Sequence, residues 1–167
     1  MDSRGTNLVA ALGTTLGDAV ASAVTEATRL SGAAPAALAA LLAEPGLSVD
    51  ALARIVGVTG SGGVRLVDRL TDAGLVERRA GRDGRSVAVR LTVAGQGTAR
   101  AVLAARHSVI RRLVRALDRD EQQTLVRLTE TLLAAATTSR DQAEHLCRLC
   151  DTGACPQRRC PVEQAVP

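Results

Sequence analysis

Over most of the chain, apolar residues recur at every third or fourth position. Between residues 75 and 91 the interval drops to two, and then the longer interval returns. The longer period marks helices with one buried face, and the period of two marks strands. One short β-excursion inside a helical chain restricts the fold to a mainly α protein carrying a single hairpin. The first stripe, Leu8, Leu12, Leu16, Val20, Val24 and Ala27, predicts a helix over 7–30. Ser31-Gly32 stops it, and Pro35 opens a second helix over 35–43. The expected strands are 75–78 and 86–91, the latter with Val87, Val89 and Leu91 on one face.

Two short helices precede the hairpin. Ser48 caps the first, which runs through Asp50, Leu52, Ala53 and Ile55, and Gly57 supplies the turn. Thr59 or Ser61 caps the second, which points Val64, Val67 and Leu70 inward and ends at Gly74. A helix, a tight turn and a helix followed by a hairpin make a winged helix-turn-helix. Thr92 then caps a long helix over 92–117, and Asp118-x-x-Glu121 is a capping box that opens another over 119–145, with Leu125, Leu128, Leu132 and Leu133 inward. The expected organisation is a winged helix-turn-helix over 44–91, long N- and C-terminal dimerisation helices over 7–43 and 92–145, and a Cys-rich tail over 146–167. A compact winged domain cannot bury the stripe on 7–30, so a second copy is its simplest partner.

The 167 residues contain no Phe, Tyr or Trp, which excludes aromatic cages and base-stacking platforms for single strands and leaves an Ala, Leu and Val core. Every basic side chain is Arg. Residues 54–90 hold eight Arg (54, 65, 69, 78, 79, 82, 85 and 90) against Asp68, Asp72, Glu77 and Asp83, which is the whole +4 of the chain. A confined excess of this kind is an electrostatic footprint for a polyanion. The Gly-rich stretch 57–63 lacks the Lys of a phosphate loop, and neither His stands in a catalytic motif, so the chain is not read as an enzyme. The first 30 residues lack a basic segment followed by a continuous apolar run, and no uninterrupted apolar run of about 18 residues occurs. The expected location is therefore cytoplasmic, with no membrane partner.

Residues 47–92 resemble the DNA-binding core of the MarR family of winged-helix transcription regulators. The resemblance rests on Leu52-Ala53, Gly57-Val58-Thr59, Val64 to Leu70, Ala73 to Arg78, the wing Asp83-Gly84-Arg85-Ser86 and Leu91-Thr92-x-x-Gly95. It implies a homodimer that presents two recognition helices to the major groove and two wings to the minor groove of a pseudo-palindromic operator. The expected function is a sequence-specific regulator of double-stranded DNA, acting as a repressor. A winged module that binds an acidic protein is the alternative. A small-molecule effector between the winged and dimerisation parts is left open.

Within that frame each site residue has an expected role. Thr59, Ser61 and Gly62 begin the recognition helix, where backbone N–H groups and hydroxyls meet a phosphate. Arg65 is placed to read a guanine edge. Arg69 contacts phosphate or pairs with Asp68 and Asp72, and Arg54 suits a phosphate contact. Arg82 adds to the basic wing, while the resemblance assigns Arg85 to the minor groove and Asp83 to its orientation. The tail reads Cys147-x2-Cys150-x4-Cys155-x4-Cys160, with His145 as a substitute ligand. Such spacing lets four thiolates converge on one zinc ion, structural or sensory. A redox-sensing dithiol pair and an iron–sulfur cluster use the same residues, and a tail without any cofactor is the remaining alternative.

Overall fold

Seven consecutive buried residues, Pro35 to Leu41, lie at the centre of the molecule. In a computed structural model describing residues 1–81, 87–155 and 157–166, they belong to helix α2 (Ala34–Ala43), which Pro35 opens from its first turn. A helix that is apolar on all sides is stable only when surrounded. Here it is enclosed by α3 (Val49–Val56), α4 (Gly60–Asp72), the antiparallel strands β1 (Val76–Ala80) and β2 (Val87–Leu91), and α5 (Val93–Val114). Leu38, Leu41, Leu52, Leu66, Val67 and Val89 meet in that core. The sequence grouped α2 with the outer helices; its apolar circumference places it in the winged core instead.

The hairpin pairs Val76 with Leu91 and Ala80 with Val87. A third edge joins it: Val89 donates to the Leu47 carbonyl at 2.8 Å, Gly46 donates to Val89 at 3.1 Å, and Ser48 bridges to Ala88. This added edge covers Ala88, so consecutive residues Ala88 and Val89 are both buried while Val87 is 47% exposed. The single-face alternation expected for Val87, Val89 and Leu91 therefore fails at Val87. Likewise the inner face of α4 is Gly63, Leu66, Val67 and Leu70, and Val64 is exposed.

Thr92 locks the wing to α5. Its hydroxyl donates to the Gly74 carbonyl at 2.7 Å and accepts from the Gly95 amide at 3.0 Å, capping the helix. Helix α1 (Ser3–Thr28) lies along α5 and buries only Val24. By length and composition it alone among the described residues could cross a membrane, with mean hydropathy 1.4 over an 18-residue window. Gly13, Thr14, Thr15, Gly17 and Asp18 interrupt its apolar run.

The helix expected over 119–145 is two helices. α6 (Arg119–Ala136) starts with the Asp118–Glu121 capping box and ends at Thr137, whose backbone is extended (ψ 112°). Ser139 caps α7 (Arg140–Cys147) by accepting from the Gln142 amide, and the Gln142 side-chain oxygen accepts from the Thr138 amide and hydroxyl. A 3-10 turn (Gln157–Arg159) and α8 (Pro161–Ala165) complete the chain. Replacing Thr92 with Val should lower stability by about 1–2 kcal/mol, the usual cost of losing a helix N-cap, measured as a lower urea midpoint with an unchanged slope.

Candidate nucleic-acid interface and cysteine knuckle

Thr59 begins α4 by accepting from the Gly62 amide at 3.2 Å, with Ser61 Oγ 3.4 Å from the Thr59 hydroxyl. Thr59, Gly60 and Ser61 are exposed at this helix N-terminus. Gly63 has a different reason: it is buried, and a Cβ there would stand 2.6 Å from that of Ala53. Close approach of α3 and α4 requires this glycine, whereas Gly60 faces open space.

Arg65 and Arg69 project from the outer face of α4, and among the described residues neither forms an ion pair. Asp68, expected near Arg69, binds Arg78 at the base of the hairpin at 2.7 Å. Arg79 pairs with Glu77, whose hydrogen bond and charge hold the exposed guanidinium above its ordinary pKa. Arg82, Asp83 and Arg85 lie outside the described residues.

Arg54 is engaged by α7. Its Nε lies 3.4 Å from Asp141 and its Nη2 lies 3.9 Å from Glu144, both on α7. One turn further on, His145 Nδ1 donates to the Ile55 carbonyl at 2.9 Å. The carbonyl can only accept, so the proton sits on Nδ1. The imidazole covers Gly57, which adopts φ 76° and whose missing Cβ would lie 2.8 Å from His145 Cε1. His145 therefore seats α7 on the helix-turn-helix. Sequence reasoning missed Asp141 and Glu144 because the break at Thr137 went unread; Ser139-x-x-Gln142, a capping pattern, was its available signal.

Beyond α7 the chain reverses. Cys150 donates its amide to the Cys147 carbonyl at 2.8 Å, and Asp151 accepts from the amides of Gly153, Ala154 and Cys155. Cys160, at the start of α8, is buried with Ala143 and Val162, and Cys147 packs on this small cluster. Arg140 closes it by binding Glu163 at 2.7 Å. The Cys147, Cys150, Cys155 and Cys160 thiols are near enough to shift one another's acidity. The neighbouring Cys150 thiol, reinforced by burial, raises the Cys147 pKa. The same proximity, with help from the charge of Arg106 on α5, lowers that of Cys150. Burial and the neighbouring Cys160 raise Cys155. Among the described residues, no group of three or more His, Cys, Asp or Glu side chains is set in metal-holding geometry. The thiols stand as neighbours that perturb one another.

An apolar cavity of about 630 Å³ lies between α1, α2 and the end of α3; Leu16, Val20, Val24 and Val58 line it, and His145 and Arg148 supply polar groups.

A helix pair with two arginines on its outer helix that form no ion pair among the described residues, beside a basic hairpin, defines the winged-helix class of regulators. The MarR family profile matches residues 30–86. The MarR family protein Rv2887 of Mycobacterium tuberculosis, crystallised with salicylic acid, is 30% identical, covers 75% of this chain and 93% of its own, and superposes with a TM-score of 0.60. The same protein crystallised with DNA is 26% identical over 78% of this chain and 98% of its own (TM-score 0.64). The fold of RV1404 from the same organism agrees at TM-score 0.72, with 24% identity over 83% of this chain and 97% of its own. No curated protein sequence matches. The chain belongs to the MarR family of transcription regulators.

Gly57→Ala combines a left-handed backbone with a clash against His145, and should destabilise the protein by about 1–3 kcal/mol. A lower denaturant midpoint checks this, and Gly57→Ala in a His145→Ala background should recover part of the loss.

Proposed function

We propose that the protein is a sequence-specific, double-stranded-DNA-binding homodimer that represses transcription from a pseudo-palindromic operator. The observation that carries this reading is the state of the arginines. Arg54, Arg78 and Arg79 are held by carboxylates, whereas Arg65 and Arg69, on the outer face of α4, form no ion pair among the described residues. Cations left available on the exposed face of a recognition helix suit base edges and phosphates. The Thr59, Ser61 and Gly62 N-terminus adds donors of the kind that bind phosphate, and Arg82, Asp83 and Arg85 keep the wing roles expected from the sequence. The Rv2887 complex with DNA supports the same reading.

The dimer is supported by what one copy leaves uncovered. No residue of α6 is buried, and Leu125, Leu128 and Leu132 are exposed, as are Leu8, Val9 and Leu12 of α1. Apolar stripes on the two outer helices suit burial against a second copy better than a bilayer: α1 already lies along α5, and Asp18 interrupts its apolar run. In this reading α1, α5 and α6 are the dimerisation helices, and 44–91 is the DNA-reading unit.

The effector proposed for the apolar cavity is a small aromatic carboxylate. Arg148 and His145 supply the polar groups, and Rv2887 has been crystallised with salicylic and p-aminosalicylic acids.

Fluorescence anisotropy against duplexes from the flanks of the protein's own gene tests the reading. One pseudo-palindrome should bind best, with a steep negative dependence of log affinity on log salt. Arg65→Ala should cost about 1–3 kcal/mol and relax selectivity at one base pair. Arg85→Ala should weaken binding while light scattering still finds a dimer. Failure to bind any duplex, with capture of an acidic protein through Arg65, would favour the protein-interaction alternative. Leu125→Asp with Leu128→Asp should yield monomers; a dimer surviving that pair would move the interface elsewhere.

A further inference from the structure

We infer that α7 is a strap coupling the apolar cavity to the DNA-facing helices: seated on α3, it supplies the cavity's charged wall and withholds Arg54 from phosphate, so that an apolar anion held by Arg148 lowers affinity for DNA. The parts concerning DNA and the anion rest on the function and effector proposed above; the seating of the strap does not.

Three observations carry it. First, one side of the strap meets both the reading helix and the cavity. Asp141, Glu144, His145 and Arg148 follow the i, i+3, i+4, i+7 spacing that sets residues on one side of a helix. Asp141 and Glu144 approach Arg54 at 3.4 and 3.9 Å, and His145 donates to the Ile55 carbonyl at 2.9 Å. Leu149, just beyond, packs on the main core. His145, Arg148 and Leu149 also line the cavity of about 630 Å³. A strap that lifts from α3 takes this wall with it. A ligand that needs the wall therefore needs the seated strap.

Second, the charge in the cavity comes from the strap. Among the described residues, Arg148 is the one arginine or acid lining it, and the walls from α1, α2 and α3 are mainly apolar, with Leu16, Val20, Val24 and Val56. Arg148 forms no ion pair among the described residues. Its Nη1 donates to the His145 carbonyl at 2.6 Å, which ties the guanidinium to the end of the strap. A cation set on an apolar wall suits a small anion with an apolar body.

Third, the seat competes with DNA and is weak enough to be released. Arg54 stands in the last turn of α3, beside the Gly57 elbow that leads to the exposed N-terminus of α4. A guanidinium shared between two carboxylates is a poorer phosphate ligand than a free one, and the carboxylates repel phosphates that come near. The Arg54 and Asp141 side chains are 57% and 74% exposed, and ion pairs in that setting add little stability. The strap thus has two positions. Seated, it completes the cavity and holds Arg54; lifted, it opens the cavity and frees Arg54. The anion binds the first and DNA favours the second, so each lowers affinity for the other by the same factor.

The experiment uses the full chain, with sodium salicylate as the probe. His145→Ala should speed hydrogen exchange in α7 about ten-fold while leaving β1 and β2 unchanged. His145→Asn, whose amide can also donate to the Ile55 carbonyl, should restore most of the protection. Exchange in His145→Ala at the wild-type rate would overturn the seating. By calorimetry, salicylate should bind the wild type, and Arg148→Gln should weaken that binding about ten-fold. Absence of binding, or equal binding by Arg148→Gln, would overturn the anion site. Bound salicylate should slow exchange in α7 and lower wild-type affinity for the preferred duplex about ten-fold. Binding that leaves both unchanged would overturn the coupling. Asp141→Asn with Glu144→Gln should bind that duplex about five-fold tighter at low salt without salicylate. Wild-type affinity in that variant would overturn the role of Arg54. If no form binds any duplex, the DNA-binding function falls, while exchange and calorimetry still decide the strap and the anion site.

Discussion

A core without aromatic rings must gain its packing from close approach of small side chains, and the winged core of this fold is built to that demand. Ala36, Ala37, Ala39 and Ala40 allow α2 to be enclosed by neighbours on all sides. Gly63 against Ala53 brings the two reading helices together at a distance that bulkier residues would prevent. Interiors are packed to crystal-like density, so such contacts tolerate little change in volume. The outer helices were left out of this economy. Their leucines and valines lie on a surface that one chain does not cover.

The parts of the fold legible in the sequence are those fixed by local rules. The Ser48 and Thr59 caps, the Gly57 turn, the Asp118–Glu121 box and the change of period at the hairpin are each decided within a few residues. What misled the sequence reading was tertiary. Val87 stands outside because the 46–48 segment covers the neighbouring Ala88. α2 reads as an ordinary apolar helix until its neighbours are known. The division of the last long helix was locally encoded by Thr138, Ser139 and Gln142, but the apolar spacing on either side masked it.

The candidate site divides in the same way. Arg65 and Arg69 project from the outer face of α4, as the off-stripe spacing implied. The partners of Arg54, Arg78 and Arg79 could not all be read, because Asp141 and Glu144 are nearly ninety residues from Arg54 along the chain and Asp68 is ten from Arg78. The clustering of the cysteines was visible as spacing. That their helix returns to the reading head was not, since it depends on a break and a hydrogen bond to a backbone carbonyl.

Gly57 is the elbow between the reading helices and, because it has no side chain, also the seat of the His145 ring. The two duties occupy the same few cubic ångströms. A change at this position alters the angle of the helix pair and unseats the tail together, so the two cannot be dissected, or diverge independently, from that side. Their separation must be made from the tail's side, at residues that touch the elbow without forming it.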